Sequence, residues 1–307
     1  MSGEVAHNEV GRSVDGTGSS GADGASNAAG VGGAAGAGSA AGGTVGADKT
    51  QGSASSLGMR LAAPITLAAL IAIWQLVCMA GLVPGYMLPS PLAVVQALVS
   101  DWPLLCEHAV TSLIEAGLGL AAGVALGFIS ALLMDRFEVL YRAVYPLVVL
   151  TQTIPSVAIA PLLVLWFGYD MLPKVVLIVV TTFFPITVGL LEGLRSVDPD
   201  EIDLLRSMGA TRGQIMRHVK LPAALPQFFS GLKISAAYAI VGAVIAEWLG
   251  GFSGLGVYMT RVRKAYSFDK MFAVIFLISA LSLLLMWAVE AVRRISMPWE
   301  RGERKPQ

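Results

Sequence analysis

The chain has 307 residues, of which 55% are apolar and only 14% are charged. Soluble domains carry about 25% charged residues, so this composition argues against an ordinary soluble enzyme. The 21 basic and 21 acidic residues balance each other, which leaves no basic excess for binding nucleic acid.

The first element along the chain is a low-complexity tail over residues 1–58, rich in Gly, Ala and Ser and without Phe, Tyr or Trp. Such a segment cannot bury enough apolar surface to offset the entropy lost on ordering. We therefore predict a disordered tail, followed by a membrane domain over residues 59–299 and a short C-terminal tail over residues 300–307.

Six long apolar runs follow the tail. A helix needs about 20 mostly apolar residues to cross the hydrocarbon core of a bilayer. Spanning β-strands are disfavoured, because they alternate apolar and polar residues over about ten positions. We predict an all-α membrane protein with about six transmembrane helices, over residues 61–83, 111–134, 144–167, 173–194, 226–250 and 271–292.

The distribution of Lys and Arg predicts the orientation of these spans. The loop 195–225 is rich in basic residues, whereas the segment 84–110 has none. This bias places both termini in the cytoplasm. The segment 261–270 disagrees, because its four basic residues fall on the outer side in this arrangement.

The third predicted span contains prolines and a polar stretch at residues 152–155. Proline removes a backbone donor and kinks a helix, and the freed carbonyls need partners inside a bilayer. One interpretation is a break that lines a translocation path, with Gln152, Thr153 and Pro155 as candidate residues. The alternative is ordinary helix packing, in which these prolines have no functional role.

Few ionisable residues lie within the spans, and none of them lies near a midplane. Secondary transporters usually place their coupling-ion site there, so this pattern disfavours ion-coupled transport. Glu247 and Trp248 are candidates for an outer gate, and Glu247 is alternatively an interfacial anchor. Lys233 and Glu192 both lie toward the inner side, which suggests an ion pair between them.

The loop 195–225 is long, polar and bounded by two spans. Asp198 and Pro199 form an N-cap and first-turn pattern, and Gly209 is placed to end this helix. Thr211 is placed to cap a second short helix, which Pro222 is expected to stop. The sequence therefore predicts two short helices at the membrane surface, or alternatively a plain amphipathic turn.

This loop resembles the signature loop of ATP-binding-cassette (ABC) importer permeases, which docks into a cleft of the ATPase subunit. Asp203, Gly209, Leu221 and Pro222 match that pattern at the same spacing. The departures are Asp for Glu at 203, leucine for alanine at 204 and 205, and valine for isoleucine at 219. The resemblance implies an ATPase-coupling site formed by Asp203, Leu204, Leu205, Met208, Gly209, Ala210, Val219, Leu221 and Pro222.

Further motifs extend the resemblance over residues 61–299. LPSP at 88–91, QTIP at 152–155 and AEWLG at 246–250 are similar to the nitrate, taurine and alkanesulfonate branch of these permeases. RSMGA at 206–210 and MPW at 297–299 are most similar to permeases for thiamine-precursor pyrimidines. The resemblance thus implies import of such a pyrimidine, with riboflavin or a nitrate-, sulfonate- or taurine-type solute as alternatives.

The family implies a type I importer fold and several partners. These are a separate ABC ATPase, an extracytoplasmic substrate-binding protein and a second copy of this chain in a bacterial inner membrane. The sequence contains no Gly-x-x-x-x-Gly-Lys-Ser/Thr phosphate loop, so ATP and magnesium are expected in the partner ATPase. We predict a transport subunit without catalytic, cofactor or metal sites of its own, since Cys78 and Cys106 are too few for a thiolate zinc site.

Two other classes of membrane protein are alternatives to this interpretation. The segment 251–254, GFSG, matches the Gly-x-Ser-Gly of intramembrane serine proteases, which need a histidine base beside the serine. No histidine lies in a later span, which disfavours a protease. An ion-coupled secondary transporter is the second alternative, and it predicts uptake that survives ATP depletion.

Overall fold

The structure, a computed structural model, describes residues 51–81, 83–85 and 87–301. Residues 1–50 of the predicted N-terminal tail and 302–307 of the predicted C-terminal tail lie outside this part. The first helix begins at Gln51, before the predicted start of the membrane domain at residue 59. The fold below is that of the compact unit Gly58–Gln307.

All regular elements in the described part of the chain are helical, as predicted. The first six are α1 (Gln51–Met79), α2 (Pro91–Ser100), α3 (Trp102–Arg136), α4 (Glu138–Thr151), α5 (Ser156–Phe167) and α6 (Met171–Arg195). After them come α7 (Pro199–Ser207), α8 (Arg212–Ile215), a π turn (Met216–Lys220), α9 (Leu221–Gly250), α10 (Leu255–Lys264), α11 (Phe268–Ser296) and a 3₁₀ turn (Pro298–Arg301).

Four helical segments of the described chain are long and apolar enough to cross a membrane. They are α3, α6, the continuous segment Arg212–Gly250 and α11, and they contain four of the six predicted spans. The pair α4 and α5 adds a fifth if it counts as one broken span. The apolar stretch Pro64–Met79 of α1 is shorter than these, so the count of six stays a prediction.

The predicted third span, residues 144–167, is not one straight helix. The chain bends by 98° between α4 and α5. The break falls at residues 152–155, where the QTIP sequence predicted an interruption. Pro146, Pro161 and Pro185 lie inside helices that continue through them.

The helices α6 and α9 form the centre of the bundle, and they approach each other closely at small residues. A side chain at Gly231 of α9 would collide with the backbone carbonyl of Pro185 in α6. On the other side of α6, glycines of α3 contact its branched residues, as Gly127 does with Ile186. Small residues of this kind allow close packing inside a bilayer, where no hydrophobic effect drives helices together.

The bundle has two ends, which we name by the elements found there. The α7 end carries α7, α8 and the π turn. At this end the Lys220 ammonium lies 2.6 Å from the carboxylate of Asp135, which joins the π turn to α3. At the opposite, α10 end, the Lys270 ammonium lies 2.8 Å from the carboxylate of Asp101, at the start of α3.

Candidate functional site

The helix α7 begins and ends as its sequence predicts. The side chain of Asp198 accepts a hydrogen bond from the backbone N–H of Asp200 at 2.9 Å, and Pro199 occupies the first turn. After Ser207 the chain reverses through Gly209, whose φ is +88°. Glycine suits this position, because a left-handed backbone is costly for a residue with a side chain.

The second predicted helix is capped as expected but does not stop where predicted. Thr211 and Gln214 form a reciprocal capping box at the start of α8. The helix then continues through the π turn into α9, so the prediction that Pro222 ends it is wrong. In a regular α-helix Pro222 would clash with the carbonyl four residues earlier, and the wider π turn before it accommodates the ring.

The surface of α7 combines exposed apolar and charged side chains. Leu204 is 62% exposed and Met208 is 77% exposed, and no residue of α7 is buried. Asp203 pairs with Arg206 across a distance of 2.8 Å on the same helix. Exposed apolar residues outside the membrane spans are typical of a surface that contacts a partner.

The remaining residues of the predicted coupling site divide by burial. Gly209 lies on the surface with no atom near the position where a side chain would project. Five others are half-buried: Leu205, Ala210, Val219, Leu221 and Pro222. The structure thus brings the nine residues to one end of the bundle, where Asp203, Leu204, Met208 and Gly209 form the exposed part.

Ion pairs hold the α7 end against the bundle. Lys220 binds both carboxylate oxygens of Asp135, at 2.6 and 2.9 Å. Arg195, at the end of α6, donates to the carboxylate of Glu138 at 2.9 Å, and its guanidinium lies 3.5 Å from the centre of the Tyr141 ring. These contacts join α6 to α4 just before the segment 196–219, and the π turn to α3 just after it.

A cavity of about 250 Å³ lies at the break between α4 and α5, against α6 and α9. Gln152 and Pro155, predicted as path residues, line this cavity. Thr153 does not line it, and its hydroxyl donates to the carbonyl of Leu150 at 2.8 Å. The predicted path residues did not include the other polar lining residues, since these lie on four different helices: Thr151, Ser156, Thr181 and Tyr238.

Glu247 lies in a buried polar cluster at the α10 end, away from the cavity. Its side chain accepts hydrogen bonds from the Ser112 hydroxyl and from the N–H of Gly256, both at 2.6 Å. Ser112 in turn accepts from the N–H of Leu255 at 2.9 Å. Glu247 therefore connects α9 to α3 and to the first turn of α10. Trp248 is 43% exposed and does not line the cavity.

Two further polar contacts complete this end of the bundle. The ammonium of Lys174 in α6 lies 2.5 Å from the carboxylate of Glu115 in α3, and both side chains are buried. His108 accepts a hydrogen bond from the N–H of Gly254 at 3.0 Å through Nδ1. Among the described contacts no hydrogen bond joins Ser253 to a histidine, which is the contact that protease chemistry requires.

The predicted pair of Lys233 and Glu192 is wrong. Lys233 of α9 lies 3.8 Å from the carboxylate of Glu290 in α11. The rotation of α9 about its own axis explains this difference, because the side of α9 that bears Lys233 faces α11 rather than α6. Within the described residues no group of three or more His, Cys, Asp or Glu side chains is placed to hold a metal ion.

The contacts of Asp101 predict a dependence of stability on pH. Hydrogen bonds from Lys270 and Tyr258 hold the pKa of Asp101 below its ordinary value. The stabilisation is therefore complete above the ordinary pKa of about 3.9 and is lost as the pH falls through the lowered value. We expect the thermal midpoint of the purified protein to decrease below about pH 4 by more in the wild type than in Asp101→Asn. Equal decreases in both proteins would contradict this assignment.

Comparisons with known proteins identify the family to which this chain belongs. The family model "Binding-protein-dependent transport system inner membrane component" matches residues 123–295. A probable ABC transporter permease protein of Haemophilus influenzae is 40% identical over 71% of this chain and 89% of its own length. The formylaminopyrimidine transport permease protein ThiX of Halalkalibacterium halodurans is 39% identical over 71% of this chain and 88% of its own length.

The fold is similar to that of solved ABC importers. A chain of the MetNI methionine ABC transporter, in an inward-facing conformation, superposes with a TM-score of 0.57 and 22% identity, covering 64% of this chain and 97% of that chain. Permeases named for aliphatic sulfonates and for taurine are also similar in sequence, in agreement with the branch that the motifs indicated. The chain therefore belongs to the family of binding-protein-dependent transport system inner membrane components and is a multi-pass permease subunit of an ABC importer.

Proposed function

We propose that this permease works as a homodimer with a separate ABC ATPase and an extracytoplasmic binding protein. The exposed surface around Leu204, Met208 and Gly209 supports this assignment of partners, because it offers apolar contacts outside the spans. The resemblance of the loop to the coupling signature supports docking of this surface into a cleft of the ATPase. ATP and magnesium bind in that partner, and this chain supplies the coupling surface.

The α7 end faces the cytoplasm in this proposal, with both termini on the same side of a bacterial inner membrane. The high content of Lys and Arg in the segment 195–225 supports the orientation. The α10 end then faces the binding protein. Solute enters from that side and leaves toward the cytoplasm.

Transport follows alternating access. ATP binding closes the two ATPase subunits and moves the two α7 segments toward each other. The displacement passes along the chain on both sides of α7, into α6 and α9, and the ion pairs of Arg195 and Lys220 carry it on to α4 and α3. Opening at the α10 end then admits solute from the binding protein, and ATP hydrolysis restores the inward-facing state.

The proposed solute is a thiamine-precursor pyrimidine. The observation that supports it is the 39% identity to a permease named for formylaminopyrimidine. Riboflavin and sulfonate- or taurine-type solutes are the competing candidates, because related permeases carry those names.

The test is purification of tagged permease from its native membrane in mild detergent, followed by mass spectrometry and reconstitution. We expect an ABC ATPase to co-purify and the reconstituted complex, supplied with its binding protein, to take up formylaminopyrimidine only with ATP. Uptake that survives ATP depletion and collapses with the ion gradient would instead support a secondary transporter. Uptake of a sulfonate in preference to the pyrimidine would overturn the substrate.

A further inference from the structure

The cavity at the α4–α5 break presents hydrogen-bond acceptors at defined positions. The hydroxyl of Thr181 donates its hydrogen to the carbonyl of Ile178 at 2.9 Å, within α6. The hydroxyl of Thr151 donates to the carbonyl of Val148 at 2.7 Å, within α4. Both hydroxyl hydrogens are used in bonds to the backbone. Each hydroxyl oxygen therefore offers the cavity its lone pairs, that is, a hydrogen-bond acceptor.

Two larger side chains complete the polar part of the lining. The carboxamide of Gln152 is exposed at the break and offers both a donor and an acceptor. Tyr238 of α9 is 47% exposed and lines the same cavity. An aromatic ring on a cavity wall is a suitable surface for stacking a second flat ring.

Among the described residues that line the cavity there is no Asp, Glu, Lys, Arg or His. Lys233 lies five residues before Tyr238 on α9, which at about 100° per residue puts it about 140° away around the helix. There it pairs with Glu290 and faces α11. A charged solute would lose part of its hydration on entering the cavity without gaining a counter-charge from this wall, so an anion is disfavoured at this position.

The size of the cavity limits the solute further. Its volume of about 250 Å³ is below the range of about 300–1,000 Å³ that is typical of pockets for drug-sized ligands. A single small ring therefore suits this cavity better than a fused multi-ring solute.

We propose that this cavity is a solute-binding site for a single uncharged heteroaromatic ring that carries N–H donors. Thr151 and Thr181 accept hydrogen bonds from the ring substituents, and Tyr238 stacks on its face. The inference rests on the proposed function, since it assigns the transported solute to a site inside the permease. It adds a second selection step, within the membrane, to that of the binding protein.

The test measures binding to the permease–ATPase complex in nanodiscs without binding protein, so that selection by that protein does not contribute. The probes are radiolabelled formylaminopyrimidine and ethanesulfonate. We expect the pyrimidine to bind and the sulfonate not to bind. Thr181→Val, which removes the acceptor and keeps the shape, is expected to weaken pyrimidine binding about tenfold.

The matched control is Thr182→Val. Thr182 is the next residue of α6, makes the same bond to the carbonyl of Ile178, and faces Gly123 of α3 rather than the cavity. We expect this variant to bind the pyrimidine as the wild type does. Tyr238→Ala is expected to weaken binding at least tenfold, whereas Tyr238→Phe restores most of it because the ring remains.

The outcomes separate this inference from the proposed function. Equal binding by Thr181→Val and Thr182→Val, or binding of ethanesulfonate as tight as that of the pyrimidine, would overturn the cavity assignment. So would a lack of pyrimidine binding by a complex that still performs ATP-driven uptake. Failure of the wild-type permease to bind an ATPase would instead refute the proposed function. Size-exclusion profiles and ATPase recovery identify any variant that fails to assemble.

Discussion

Replacing Gly209 by arginine is expected to leave the permease in the membrane and to abolish its association with the ATPase. Gly209 is exposed, and a side chain there would meet no atom of this chain within 4 Å. The arginine is therefore accommodated in the isolated permease but projects into the space that the docked ATPase occupies. We expect ATPase recovery in a pull-down to fall more than tenfold and ATP-driven uptake to fall to background.

The substitution also strains the backbone, and a substitution at a second glycine serves as the control for this strain. A left-handed conformation costs about 1–2 kcal/mol for a residue with a side chain. Gly81 has a φ of +65° and is likewise free of neighbours within 4 Å, but it follows α1 rather than α7. Gly81→Arg therefore carries a similar strain, and we expect normal ATPase recovery. Equal losses in both variants would attribute the effect to strain, and normal uptake by Gly209→Arg would refute docking at this residue.

Replacing Glu247 by alanine is expected to destabilise the permease more than any other single truncation at the α10 end. The side chain is 1% exposed and accepts from Ser112 and from the N–H of Gly256. Alanine leaves a cavity and leaves the N–H of Gly256 without its acceptor, while the Ser112 hydroxyl keeps only the carbonyl of His108 at 3.2 Å. The unsatisfied donor costs about 1–3 kcal/mol, and the cavity adds to this cost. We expect the thermal midpoint in detergent to fall by about 10 °C, at about 2–4 °C for each kcal/mol.

Glu247→Gln is the matched control for this prediction. The amide oxygen of glutamine can accept from Gly256, and its NH₂ group can donate to Ser112. The Ser112 hydroxyl can then donate to the carbonyl of His108, which lies 3.2 Å away. We expect the glutamine variant to lose no more than about 3 °C. A glutamine variant as unstable as the alanine variant would show that the charge of Glu247, rather than its hydrogen bonds, stabilises this end.

The parts of the fold that were predictable depend on local sequence signals. The cap at Asp198, the reversal at Gly209 and the capping box at Thr211 each involve residues within three positions of each other. The break at residues 152–155 likewise follows from a proline and polar residues in an apolar run. Such signals act through the backbone of one segment, so they need no knowledge of the tertiary structure.

The contacts that were missed join residues far apart in the chain. Ser112 and Glu247 are 135 positions apart, and Lys174 and Glu115 are 59 apart. Lys233 pairs with Glu290 instead of Glu192, because the rotation of α9 about its axis decides which neighbour it faces. The prediction of the polar residues that line the cavity was incomplete for the same reason, since Thr181 and Tyr238 reach the cavity from separate helices.

The continuous helix from Arg212 to Gly250 has a consequence for how this protein can change during evolution. Its 39 residues carry Val219, Leu221 and Pro222 of the predicted coupling site near one end, Tyr238 on the cavity wall and Glu247 near the other end. At about 100° per residue, one inserted or deleted residue between Leu221 and Tyr238 would turn these features out of phase with each other. The helix can therefore accept many substitutions on its outer surface. An insertion or deletion, in contrast, would rotate one end relative to the other, so the number of residues between these features is fixed.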